Sequence, residues 1–251
     1  MTTTPTSWGA FAQVNPSSIG FQGDHKIIGL SNGNHLVVFA DDSGIVGSSP
    51  DRDIVGVIYG PTGEIVREAF KITGKYSTDS EELPAIAADD TGGFYMAYED
   101  RDTDSQSIRV EKYSDNGDGL LVNTIQFDFG TPTVSAPSIA VNADGNVLVS
   151  YEWSDGGDEN VRAKLLDSNL NFINQGPGNT GIILRSDEAP TDPAVGVFDP
   201  ETAAMTNGTF VTVYIDPESD DGIEVRGTNG TTGANIFNRN VGTTGTNGRL
   251  D

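Results

Sequence analysis

Three observations predict an all-β repeat protein. The 251 residues include 31 Gly and 12 Pro, and only 35% are apolar. The apolar residues fall in short runs separated by clusters of Gly, Asn, Asp, Ser and Thr, as in a turn-rich β-sheet protein. An ordered set of short segments also recurs at a nearly constant interval, the mark of tandem structural units.

Each unit opens with an apolar strand that contains or follows a Pro. These are PAIAADD from Pro84, PSIAVNAD from Pro137, PAVGVFD from Pro193 and, without Pro, KIIGLSN from Lys26. A Gly turn leads to a second strand that ends on an aromatic: Phe39, Tyr98, Tyr151 and Tyr214. Alternation at period two puts Phe94, Met96 and Tyr98 on one face, and likewise Val147, Val149 and Tyr151. An acidic loop comes next, and a third strand starts at Ile54, Ile108, Val161 and Ile223.

Fourth strands place Phe11, Phe70, Phe127, Ile183 and Phe237 at intervals of 59, 57, 56 and 54 residues. Four antiparallel strands joined by tight turns make a blade that buries its faces only against neighbouring blades. The expected fold is therefore a β-propeller-like array of about four four-stranded antiparallel blades. Its repeats span 15–76, 77–130, 131–186 and 187–241, with an extra strand at 10–14. That surplus strand leaves three readings: a window of a longer array, a small closed ring, or an edge strand that pairs with a neighbouring molecule. Helix is at most minor, with Asp199 to Met205 the best short candidate.

Charge narrows the partners. Fourteen Lys and Arg against 37 Asp and Glu give a net charge of −23, which excludes nucleic acid, whose affinity rests on cations at phosphates. No apolar run approaches the roughly 18 residues that span a bilayer, so membrane insertion is not expected. Such an acidic chain suits a setting where salt or divalent ions screen it, outside the cell or at its surface. There are no cysteines, so thiolate chemistry is impossible. The start, MTTTPTSWGAF, has neither a basic nor an apolar signal region.

The form PSIAVNADGNVLVSYEW, followed by VRAKLLD, resembles the tandem β-propeller-like repeats of very large secreted bacterial proteins of the RTX and adhesin type. The resemblance covers nearly the whole chain. It implies an extracellular, calcium-associated scaffold or adhesion module whose export signal is C-terminal. The chain departs from that pattern in ending its second strands on Phe or Tyr instead of Trp, and in having no Gly-Gly-x-Gly-x-Asp run.

Calcium takes six to eight oxygen ligands, and carboxylates at alternating loop positions converge on one ion. The loops after the second strands supply Asp41 in the first repeat and Asp100, Asp102 and Asp104 in the second. Asp155 and Asp158 follow in the third, and Asp216 and Asp220 in the fourth. These eight are the candidate metal ligands. SDNGDG, with Asp115, Asn116 and Asp118, reads more simply as a hairpin turn. Trp8 and Trp153 are candidates for a sugar-stacking surface, whereas the second-strand aromatics belong to the core. His25 and His35 are expected in solvent, and no Ser-His-Asp constellation accompanies them. The reading that follows is a non-enzymatic extracellular scaffold or adhesion module, stabilised by calcium. Its expected partners are other copies, or neighbouring blades of a larger protein, through edge strands, and glycans. The alternative is a carbohydrate-active propeller, either lectin or glycoside hydrolase, working through paired carboxylates.

Overall fold

The computed structural model describes residues 13–46, 51–73, 80–101, 106–125, 133–154, 159–174, 176, 181–184, 197–216 and 222–241. They form four antiparallel sheets, each a simple up-and-down meander, and no helix. Blade 1 contains β1 (Gln22–Gly29), β2 (His35–Asp41), β3 (Asp53–Tyr59) and β4 (Ile65–Lys71). Blade 2 contains β5 (Ser80–Ala88), β6 (Phe94–Arg101), β7 (Gln106–Tyr113) and β8 (Gly119–Ile125). Blade 3 contains β9 (Thr133–Val141), β10 (Val147–Ser154) and β11 (Glu159–Leu166), with a fourth strand in two pieces, β12 (Phe172–Asn174) and β13 (Ile182–Ile183). Blade 4 contains β14 (Phe198–Ala204), β15 (Phe210–Asp216), β16 (Gly222–Thr228) and β17 (Asn235–Asn240). The expected propeller of four-stranded blades is the observed fold.

The turn from first to second strand is the same in every blade. Leu30, Asp89, Asn142 and Met205 each accept an N–H from a glycine three residues on, at Gly33, Gly92, Gly145 and Gly208. All four glycines have φ between +79° and +118°, a region closed to most L side chains. Between blades, three apolar clusters fill the interfaces. Leu36, Val38 and Ile54 meet Phe94, Met96 and Tyr98 between blades 1 and 2. Tyr95, Ala97 and Val110 meet Val147, Val149 and Tyr151 between blades 2 and 3. Leu148, Ala163 and Leu165 meet Phe210 and Tyr214 between blades 3 and 4. The second strand thus sends alternate residues to opposite neighbours, which explains why isolated blades need the array. The first strands β1, β5, β9 and β14 pack side by side in sequence order and form the inner wall.

Two sequence expectations change here. The first strand of blade 4 is Phe198–Ala204, with Pro200 and not Pro193 as its proline; Pro193 lies outside the described residues. The same stretch is the expected short helix, Asp199 to Met205, and pairing with β15 makes it a strand instead. Asp, Pro, Glu and Ala favour a helix start by local propensity, and the sheet overrides it. Phe11 and Phe127 lie outside the described residues, as does most of the extra strand expected at 10–14.

Candidate functional site

Every inner strand carries a β-bulge at the same place. The register with the second strand slips between Gly23 and Lys26, Glu82 and Ala85, Ser135 and Ser138, and Phe198 and Glu201. At each slip one non-glycine residue is left-handed: Asp24 (φ 52°), Leu83 (48°), Ala136 (45°) and Asp199 (61°). Each such conformation costs on the order of 1–3 kcal/mol, so four at equivalent positions mark a place the fold holds deliberately. The next residue is His25 in blade 1 and a buried proline, Pro84, Pro137 or Pro200, in the others. Proline fits because a bulge residue needs no ladder N–H.

The four bulges converge on one pocket of about 260 Å³ at the axis. Leu83-Pro84 and Ala136-Pro137 give it two apolar walls. Asp24, His25 and Lys26 from β1 and Asp199, Pro200 and Glu201 from β14 give it two polar ones. Three carboxylates, an imidazole and an ammonium therefore surround a concave site with apolar sides, the usual make-up of a small-ligand pocket. A second groove of about 250 Å³ runs beside it along Val14, Asn15, Gln22, Val37 and Phe39, and the two share His25.

The β14 edge of the pocket is tied to blade 3. Ser138 Oγ accepts the Thr202 N–H at 2.9 Å and donates to Glu201 Oε2 at 3.3 Å. Behind it the hydroxyls of Ser150, Thr202 and Thr212 form a chain with spacings of 2.6 and 2.9 Å. The Asp199 N–H reaches Glu152 Oε1 at 2.8 Å.

The eight expected metal ligands fare differently. Asp102, Asp104, Asp155, Asp158 and Asp220 lie outside the described residues. Asp41 and Asp216 close the second strands of blades 1 and 4, Asp100 is the last residue but one in that of blade 2, and all three are buried, not solvent-facing. Asp41 Oδ1 accepts the Ser43 N–H at 2.6 Å, and Asp100 is ion-paired with Arg109. Among the described residues no three His, Cys, Asp or Glu side chains converge as a metal cluster would. The hairpin reading of Asp115 to Asp118 is what the structure shows: Gly117 donates to the Ser114 carbonyl, and Asp115 Oδ1 accepts the Gly93 N–H at 2.8 Å. Trp153 is not a sugar platform, being buried beneath Arg162, while Trp8 lies outside the described residues. His25, expected in solvent, is exposed but lines the axial pocket.

Sequence reasoning missed Asp24, Asp199 and Glu201. A signal was present. Asp24-His25 and Asp199-Pro200 break the repeat where Leu83-Pro84 and Ala136-Pro137 keep it apolar, and departure from regularity is where a repeat protein places its chemistry. Aligning the last repeat on Pro193 hid that break.

No protein-family model matches the sequence, and no curated protein sequence matches it. Solved structures do match in fold. An α-L-arabinanase of Penicillium chrysogenum, complexed with arabinobiose, superposes with a TM-score of 0.58 at 14% identity over 87% of this chain and 66% of its own. A Hadza microbial sialidase gives 0.56 at 10% identity over 85% and 45%. A polysaccharide lyase, an ulvanlyase, gives 0.52 at 9% identity over 89% and 59%. The chain spans about half to two thirds of the length of these proteins. They correct the resemblance to RTX and adhesin-type repeats, because the solved propellers that this chain matches in fold include a sialidase, an arabinanase and a polysaccharide lyase. The same finding overturns the reading as a non-enzymatic calcium-stabilised scaffold or adhesion module. The PSIA run within that resemblance follows directly on the inner-strand bulge at Ala136. Among the described residues no helix is long and apolar enough to cross a membrane.

Proposed function

We propose that the chain is a carbohydrate-active propeller enzyme, a glycoside hydrolase whose substrate sits in the axial pocket between β1 and β14. The observation that carries this reading is the convergence of four strained bulges on one pocket, whose carboxylates, among the described residues, come from blades 1 and 4. Glycoside hydrolysis needs two carboxyl groups on either side of the scissile bond, one to protonate the leaving oxygen and one to act on the anomeric side. Asp24 and Asp199 enter from separate blades, and Glu201 stands beside Asp199, oriented by Ser138. The apolar walls at Pro84 and Pro137 suit the carbon faces of a sugar ring.

The charge selects the substrate class. A chain of net charge −23 whose pocket holds three carboxylates against Lys26 and His25 disfavours polyanionic glycans, so the substrate is a neutral oligosaccharide or polysaccharide. The adjoining groove with Asn15 and Gln22 offers amides and apolar surface to further sugar units. A polymeric substrate would place the enzyme outside the cell. The test is release of reducing ends from a panel of neutral polysaccharides, followed by Asp199→Asn and Asp24→Asn. Cleavage lost at least about 100-fold in a folded variant supports the reading. Absence of both cleavage and saccharide binding across the panel overturns it.

A further inference from the structure

We infer that Glu152 is a positioning residue for Asp199, and that carboxylates on second strands act as latches that fix the bulges of the following blade. A bulge removes one N–H from the sheet ladder, and the freed donor takes another acceptor. At Asp199 the ladder slips between Phe198 and Glu201, and the freed N–H is taken by Glu152 Oε1 of blade 3 at 2.8 Å. The other oxygen, Glu152 Oε2, accepts the Ser135 hydroxyl at 2.8 Å, so the carboxylate is held from both ends.

The device recurs. Ala136 sits in the bulge of β9, and its N–H reaches Glu99 Oε1 of blade 2 at 2.9 Å. Glu99 and Glu152 both follow the aromatic that closes the core face of the second strand, Tyr98 and Tyr151. Arg101 Nε at 2.8 Å and Gln106 Nε2 at 3.0 Å hold the other oxygen of Glu99, just as Ser135 holds that of Glu152. In blades 1 and 4 the equivalent residues are Ala40 and Ile215, so among the described residues this latch stands at the junctions of blades 2 and 3 and of blades 3 and 4. One of those two fixes a residue that carries a carboxylate in the pocket. Charge-assisted bonds of this kind are stronger than neutral ones and hold a site within the few tenths of an ångström that chemistry requires.

The inference rests on the proposed role of Asp199, but its first test does not need a substrate. Amide hydrogen exchange followed by NMR in Glu152→Ala should accelerate the Asp199 N–H at least about tenfold, while Ala136 and Thr202 keep their protection. Glu99→Ala should do the converse, and Glu152→Gln, which keeps an acceptor oxygen, should restore Asp199. Ser135→Ala, the milder change, should accelerate Asp199 by a smaller factor and serves if Glu152→Ala does not fold. Unchanged exchange at Asp199, or equal acceleration along all of β14, overturns the latch. Where a polysaccharide from the panel is cleaved, Glu152→Ala should lower kcat more than it raises KM, with recovery in Glu152→Gln. Equal loss in Glu152→Ala and Glu99→Ala overturns the positioning role. Failure of the whole panel would bear on the proposed function alone and leave the exchange result standing.

Discussion

The Arg162 guanidinium lies 3.4 Å from the ring centroid of Trp153, its register neighbour but one across β10 and β11, and covers an indole only 7% exposed. The tryptophan is therefore core, packed in the cluster between blades 2 and 3 with Val134 and Val149. Trp153→Ala is expected to cost about 3–5 kcal/mol in urea unfolding, as large aromatic deletions do. Arg162→Ala removes the cation–π contact and its packing and should cost less, on the order of 1–2 kcal/mol. Loss of saccharide binding by Trp153→Ala at unchanged stability would instead place the ring in a site.

Much of this architecture was legible because strand alternation is a local signal. Phe39, Tyr98, Tyr151 and Tyr214 end apolar runs of period two, and all four are buried. The same period predicts burial for Asp41, Asp100 and Asp216, which stand two residues after Phe39, Tyr98 and Tyr214 and share their face. The bulges were not legible, since an inserted residue breaks alternation without leaving a composition of its own. Asp24 and Asp199 become equivalent only when the register of four separate sheets is known, and their meeting at the axis is a tertiary fact.

Stability should vary with pH through buried groups. Burial pushes the Lys164 ammonium down to about 8, whereas in the unfolded chain it holds its proton to about 10.4. Between those values the unfolded state binds more protons, so stability rises with pH. Burial also raises the phenols of Tyr98, Tyr113, Tyr151 and Tyr214, which stay protonated in the fold when unfolded tyrosines ionise near 10. Above that pH stability falls again. Urea midpoints at pH 7, 9 and 11 should pass through a maximum, and Lys164→Met should flatten the rising limb while leaving the fall.

The acid side is set in part by Asp89. Its burial favours the neutral form, but the Thr91 hydroxyl and amide and the Lys112 ammonium at 3.0 Å outweigh this and hold the carboxyl below its ordinary value. The stability it contributes is present above the unfolded pKa near 3.9 and is lost as pH falls through the lower folded value. Asp89→Asn should therefore shrink the loss of stability between about pH 5 and 2, measured by the same unfolding series.

Leu170 is left-handed, with φ 63°, at the turn between third and fourth strands where blades 1 and 2 use Gly63 and Gly117. Two effects oppose each other. Glycine would relieve backbone strain of roughly 1–2 kcal/mol. Yet the Leu170 side chain is only 2% exposed and packs in the core between blades 2 and 3, and losing it costs on the order of 2–5 kcal/mol. Leu170→Gly should thus be destabilising overall by about 1–3 kcal/mol, less than Leu166→Ala in the same cluster. A stabilised variant would show that the turn and not the core decides this position.

Equivalent positions on the second strands give a last, sharper contrast. Val38, Ala97, Ser150 and Val213 each stand one residue before the aromatic or tyrosine that ends the core run, and the first three are 0% exposed. Val213 is 38% exposed, and Ile223, diagonal to it on β16, is 37% exposed. A carboxylate at Ala97 would be buried without a partner between blades 2 and 3, a change worth about 3 kcal/mol or more. The same carboxylate at Val213 keeps its water and loses only part of one apolar side chain, on the order of 1 kcal/mol. Ala97→Asp should therefore abolish folding or move the urea midpoint far down, and Val213→Asp should barely move it. If the isolated chain responds to Val213→Asp as strongly as to Ala97→Asp, this face of blade 4 is covered by another sheet in solution.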